Sequence, residues 1–115
     1  MGEATSGVTE MIVMYTVNYP STSAVEYGKA VIKNFQEHPF PDFIKPLGIY
    51  AAIYEDGVKA YSILEFEKGK EEDAFKIINN RLANYLRVPG FGWREERLLK
   101  MEEAAALVGL EAPKI

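Results

Sequence analysis

Residues Phe43 to Lys68 read FIKPLGIYAAIYEDGVKAYSILEFEK, two runs rich in Ile, Tyr, Val and Ala on either side of Asp56-Gly57. An Asp-Gly pair tolerates the positive φ values of a type I′ turn, whose twist matches that of the flanking strands, so this stretch predicts a tight β-hairpin. A two-residue loop would set Glu55 opposite Val58 and Tyr54 opposite Lys59. Side chains alternate between faces along a strand. One face then carries Leu47, Ile49, Ala51, Ile53, Ala60, Ser62, Leu64 and Phe66, and is expected to be a core face covered by helices. The other carries Gly48, Tyr50, Ala52, Tyr54, Lys59, Tyr61, Ile63 and Glu65. Such a half-polar aromatic face suits a cavity or a subunit interface better than open water or a dry core. The simpler account is that tyrosines cover a solvated sheet, since apolar atoms are commonly exposed.

The rest of the chain punctuates itself. Met1 to Val8 is rich in small polar residues and is expected to fray. Glu10 to Tyr19 alternates Val13, Tyr15, Val17 and Tyr19 with Ile12, Met14, Thr16 and Asn18. Both faces are largely apolar, which predicts a central strand. Pro20 ends it. Ser23 and Glu26 have capping-box spacing, and Ala24, Tyr27, Gly28, Val31 and Phe35 then recur at helical intervals, with Val25 and Ile32 beside them. Glu37 to Pro46 holds Pro39, Pro41 and Pro46, which forbid a regular element and leave a stiff loop bearing His38, Phe40, Asp42 and Phe43. Glu71, Glu72 and Asp73 complement the start of a second helix, whose apolar stripe runs from Ala74 and Phe75 through Ile77, Ile78, Leu82 and Tyr85 to Leu86. Asn79, Asn80 and Asn84 are read as surface positions. Val88-Pro89-Gly90 stops that helix. Phe91 to Lys100 carries charges on both faces, as an edge strand does. Met101 to Leu110 is a short Ala-rich helix that Ala104, Leu107, Val108 and Leu110 would dock.

The order of elements predicts an α+β fold: a ferredoxin-like βαββαβ plait with a C-terminal helix, its sheet antiparallel, the first and third strands central and the second and fourth at the edges. The 115 residues suit a single domain spanning 1–115. Helices on one face leave the Tyr50, Tyr54 and Tyr61 face free, and a second copy of the chain is the economical cover. Two such sheets face to face would make a homodimeric barrel.

Ile44-Lys45-Pro46-Leu47-Gly48-Ile49-Tyr50, the glycine-turned hairpin and Glu102-Glu103-Ala104-Ala105 carry a resemblance to the dimeric α+β barrel superfamily, and within it to a family of small domains of unknown function. Those domains have a second strand of the type V-K-L-L-G-R-W-H and an acidic, Ala-rich end. The likeness extends from about Met11 to Leu110. Where that pattern has Arg-Trp-His this chain has Ile49, Tyr50 and Ala51, so no role of that histidine transfers. The wider superfamily includes small cofactor-free monooxygenases of polycyclic phenols, isomerases and dehydratases.

Composition narrows the function. With no cysteine, thiolate catalysis, disulfides and zinc-thiolate sites are excluded. A single histidine offers little to a metal or heme, so no metal and no cofactor are expected. A net charge of −4 argues against nucleic acid and anionic membranes as partners. No apolar run approaches membrane-span length and residues 1–10 lack the basic start of a secretory signal, which makes a cytoplasmic location the expectation. The expected function is the binding of a small apolar or aromatic molecule in a pocket between sheet and loops, by Phe43, Tyr50, Tyr54, Tyr61, Trp93 and Arg94. The alternative is a cofactor-free enzyme, monooxygenase- or isomerase-like, acting on a small aromatic substrate. For it His38 is the candidate proton carrier and Glu65, on an apolar sheet face, the candidate base.

Overall fold

The structure is a computed structural model and describes residues 10–113; the Met1–Val8 stretch and the last two residues of the tail lie outside the described residues. The chain forms strand β1 (Met11–Pro20), helix α1 (Ala24–Glu37), strands β2 (Ile44–Ile53) and β3 (Gly57–Phe66), helix α2 (Glu71–Ala83), strand β4 (Gly92–Leu98) and helix α3 (Met101–Leu107). A single 3₁₀ turn, Ser21–Ser23, joins β1 to α1. The fold is α+β, with one antiparallel four-stranded sheet in the order β2-β3-β1-β4.

β1 pairs with β3 without interruption from Met11↔Phe66 to Pro20↔Gly57, and with β4 from Ile12↔Leu98 to Asn18↔Gly92. This register gathers Val13, Tyr15, Val17, Ala60, Ser62, Leu64 and Phe66 on one face. The helices lie over it. Val13, Leu64 and Phe66 are almost wholly enclosed there, and trimming Leu64 to alanine should cost roughly 2–5 kcal/mol. α1 contributes Ala30 and Asn34, and α2 contributes Ala74, Ile78, Arg81 and Leu82. Tyr85 and Val88, beyond the end of α2, complete the core.

The hairpin differs from expectation in its turn. The last pair is Ile53↔Val58, and the Tyr54 N–H donates to the Gly57 carbonyl at 2.8 Å. A type I′ turn needs positive φ at both central residues, and neither Asp56 nor Gly57 has it. The chain takes a wider loop and the register moves by two residues. A shift of two keeps every side chain on its face. A bulge at Leu47, between the Pro46↔Leu64 and Gly48↔Ile63 pairs, then changes which part of β2 is covered. Pro46 has no N–H to give a ladder, and an edge strand tolerates this. Ile44 is buried opposite Phe66. Past the bulge Ile49 and Ile53 are not: Ile53 is 82% exposed. The helices cover only the Ile44 end of the face expected to be all core.

The helix boundaries also move. Ser23 does not cap α1 through its side chain; it is buried, and its hydroxyl donates to the Pro89 carbonyl at 2.7 Å. That bond ties the start of α1 to the α2–β4 connection. The buried stripe of α1 is Ala30 and Asn34 with half-buried Tyr27 and Val31, while Val25 and Ile32 face outward and Phe35 is half exposed. α3 buries none of its residues, and Leu107, Val108 and Leu110 are exposed rather than docked.

Candidate functional site

Between sheet and helix layer lies a partly enclosed cavity of about 60 Å³. Its sheet-side floor is Tyr15, Val17, Ser62 and Leu64, and its walls are Tyr27, Phe40, Ile78, Arg81, Leu82 and Tyr85. Each arrives there for a local reason. Tyr15 and Ser62 are cross-strand partners on the covered face. Ile78, Arg81, Leu82 and Tyr85 recur at three- and four-residue spacing along α2 and its extension, which puts them on one side of a helix. Phe40 is held in the stiff loop between Pro39 and Pro41.

The aromatic wall is continuous. Tyr27 stacks on Tyr19 at 4.1 Å between ring centroids and on Tyr85 at 5.1 Å, and Tyr85 stacks on Phe91 at 5.1 Å. Each such pair adds about 0.5–1.5 kcal/mol beyond the area it buries. Burial, together with the neighbouring Tyr85 and Tyr19 phenols, pushes the Tyr27 phenol well above the usual range. The Tyr15 hydroxyl donates to Glu95 Oε1 at 2.7 Å across the β1–β4 pair. Burial first, and then that carboxylate, push its phenol up as well. Both rings therefore stay neutral donors at physiological pH.

Arg81 is the unusual member. It is only 7% exposed. Its Nη1 donates to the carbonyls of His38, at 2.6 Å, and Asn34, at 3.4 Å, at the C-terminal end of α1. The guanidinium carbon lies 4.2 Å from the Phe40 ring centroid and 4.8 Å from that of Phe35. Burial lowers its pKa, opposed by the neighbouring Tyr85 and Tyr27, yet guanidinium stays charged in proteins. Among the described residues no carboxylate pairs with it. The helix end and the cation–π contacts each contribute about 0.5–2 kcal/mol, against a desolvation penalty of roughly several kcal/mol for a buried ion.

None of the six residues expected to bind ligand lines this cavity. Tyr50 and Tyr61 are opposite one another on the face turned away from the helices, Tyr50 62% exposed and Tyr61 half-buried. Tyr54, in the loop after β2, lines a more open depression with Asn18, Tyr19, Pro20, Asp56 and Lys59. Arg94 is exposed on the same face as Tyr61, whereas Trp93 pairs with Val17 on the helix side. Phe43 is half-buried, and Lys70 Nζ lies 5.8 Å from its ring centroid. Glu65 sits half-buried across from Ile12 on the helix-free face, beside Glu10, Asp42, Lys45 and Glu67. His38 belongs to the helix layer, its Nε2 4.0 Å from Glu37 Oε1. The two candidate catalytic groups thus lie on opposite sides of the sheet. Reading the sequence for free faces missed Arg81. The signal available was an arginine inside an otherwise apolar stripe, between Ile78 and Leu82. No group of three or more potential metal ligands occurs among the described residues.

No model of a known protein family matches the chain, and no curated protein matches it. Solved structures do. The C-terminal domain of the MgtC protein from Mycobacterium tuberculosis is similar over 78% of this chain and 89% of its own, at 9% identity and a TM-score of 0.50. A de novo designed protein, Foldit4, is similar over 79% of this chain and 98% of its own, at 6% identity and a TM-score of 0.57. At such identities the likeness concerns the fold alone. It is compatible with a ferredoxin-like plait.

Proposed function

We propose that the chain is a ferredoxin-like domain that dimerises through its helix-free sheet face, as a cytoplasmic α+β barrel, and holds a small apolar or aromatic molecule between sheet and helices. The observation that carries the binding reading is the cavity walled by Tyr27, Phe40 and Tyr85 over the Tyr15–Ser62 floor. Binding sites are typically concave and apolar with a few placed polar groups. The cavity is about 60 Å³, whereas a benzene-sized guest needs about 150 Å³. A compact apolar guest fits it directly, and an aromatic one requires Phe40 or Tyr85 to turn aside. The dimer reading is supported by the opposite face, where Ile12, Met14, Tyr61, Ile63 and Leu98 are only half-buried and Tyr50 is exposed. A cofactor-free enzyme using His38 and Glu65 together has less support, because the sheet stands between them.

Two measurements test this. Light scattering should give twice the 12.9 kDa chain mass. Titration with small apolar compounds, followed by amide chemical shifts, should move Ser62, Leu82 and Tyr85. A monomeric mass removes the barrel, and an absence of shifts at those three residues for every compound removes the pocket.

A further inference from the structure

Arg81 brings a full positive charge to the wall of the cavity and spends little of its bonding capacity. A guanidinium has five N–H donors. Among the described residues only Nη1 is used, toward the His38 and Asn34 carbonyls. Among the described residues the Nε and Nη2 donors have no protein partner, and the side chain is largely enclosed. Buried polar groups are nearly always satisfied, and buried charges nearly always paired. Phe35 and Phe40 flank the guanidinium carbon at 4.8 Å and 4.2 Å from their ring centroids. Of the hydroxyls around the cavity, that of Tyr15 already donates to Glu95, which leaves those of Tyr27, Ser62 and Tyr85.

We propose that the cavity is an anion site: it takes a small monocarboxylate, the carboxylate on the free edge of the Arg81 guanidinium and the compact apolar body against Tyr27, Phe40 and Tyr85. The proposal rests on the pocket reading above and adds the charge of the ligand to it. One buried cation calls for one negative charge. A planar fork matches a planar carboxylate through parallel N–H···O bonds. The apolar remainder of the lining suits a hydrocarbon body and disfavours a multiply charged, strongly hydrated phosphate.

The test compares isobutyrate with isobutyramide, equal in shape and different in charge, on the unmodified protein at matched ionic strength. Both have as many heavy atoms as benzene, so both require Phe40 or Tyr85 to turn aside. Amide shifts of Ser62, Leu82 and Tyr85 report binding. Isobutyrate should bind about tenfold more tightly than the amide, since charge-assisted hydrogen bonds are roughly twice as strong as neutral ones. Arg81→Met should erase the preference, and Arg81→Lys should retain its sign. If the amide binds as well as the carboxylate, the anion site is overturned while the pocket stands. If inorganic phosphate binds more tightly than isobutyrate, the carboxylate assignment is overturned. If neither isostere moves the three resonances, pocket and anion site fall together. Should Arg81→Met fail to fold, the comparison of isosteres on the unmodified chain still decides.

Discussion

Asn34 and Arg81 grip each other across the helix layer in both directions. Asn34 Nδ2 donates to the Arg81 carbonyl at 3.0 Å, and Arg81 Nη1 donates to the Asn34 carbonyl at 3.4 Å. Asn34 has no exposed surface, and its Oδ1 accepts from Asn84 Nδ2 at 2.7 Å. The arrangement fixes α1 against α2 and holds Arg81 in the cavity wall.

Replacing Asn34 with leucine keeps the bulk and removes the bonds. The Arg81 carbonyl, near the end of α2, loses its side-chain donor, and the Asn84 amide loses its acceptor. An unmade buried hydrogen bond costs roughly 1–3 kcal/mol. Urea unfolding of Asn34→Leu should show a loss of that size. A loss below about 0.5 kcal/mol, the range of an ordinary surface substitution, would mean the polar clasp is not structural.

The phenols set an alkaline limit on stability. Burial raises Tyr15, Tyr19 and Tyr27, with Glu95 adding to Tyr15. A group whose folded pKa is raised binds its proton more tightly when folded, so its contribution is complete below the unfolded phenol value, about 10. It is lost as pH rises above that, because the unfolded chain ionises while the folded one resists. Stability should hold steady up to about pH 10 and decline beyond it. Denaturant melts across this range, read beside tyrosinate absorbance, check the point: the Tyr15 and Tyr27 phenols should ionise only with unfolding. Early ionisation of all seven tyrosines in the folded protein would contradict it.

Two glycines should answer the same substitution with opposite signs. Gly90 has φ +76°, and a Cβ there would lie 2.7 Å from Pro20 Cδ. Gly90→Ala combines left-handed backbone strain with a clash and should cost about 1 kcal/mol or more. Gly28 lies inside α1, where a Cβ would meet nothing within 4 Å. Gly28→Ala should stabilise by about 0.5–1 kcal/mol through helix propensity. Thermal melts of the two variants side by side check the pair, and equal shifts would refute it.

The hairpin, both long helices and the outer charged strand were legible because each rests on a local period or a turn residue. Asp56-Gly57 announced a turn, but Gly57 is itself paired with Pro20 of β1, so the register was not local information. The bulge at Leu47, beside Pro46 in the ladder, turns Ile44 onto the core face, whereas Ile53, on that same face, lies beyond the helices. Ser23 and Asn84 have ordinary local meanings, a cap and a surface amide. Their actual partners, the Pro89 carbonyl and Asn34 Oδ1, are 66 and 50 residues away in sequence. Arg81 was hidden for the same reason: its neighbours Asn34, His38 and Phe40 come from the other side of the hairpin.

The helix-free face can be tested by a single charge at its centre. Ile63 lies opposite Met14 on one side and Gly48 on the other, half-buried in the isolated chain. In a monomer Ile63→Lys leaves the ammonium free to reach water, and the change should stay near the ±0.5 kcal/mol of surface substitutions. Inside a sealed sheet-to-sheet interface the same ammonium would be buried without a partner, at a cost of roughly several kcal/mol. Light scattering should therefore fall from a dimer's mass to the 12.9 kDa of one chain, with circular dichroism unchanged. Ile32→Lys, on the exposed side of α1, should leave the mass as it was. If instead Ile32→Lys separates the chains and Ile63→Lys does not, the contact between copies runs through the helices and the barrel arrangement is wrong.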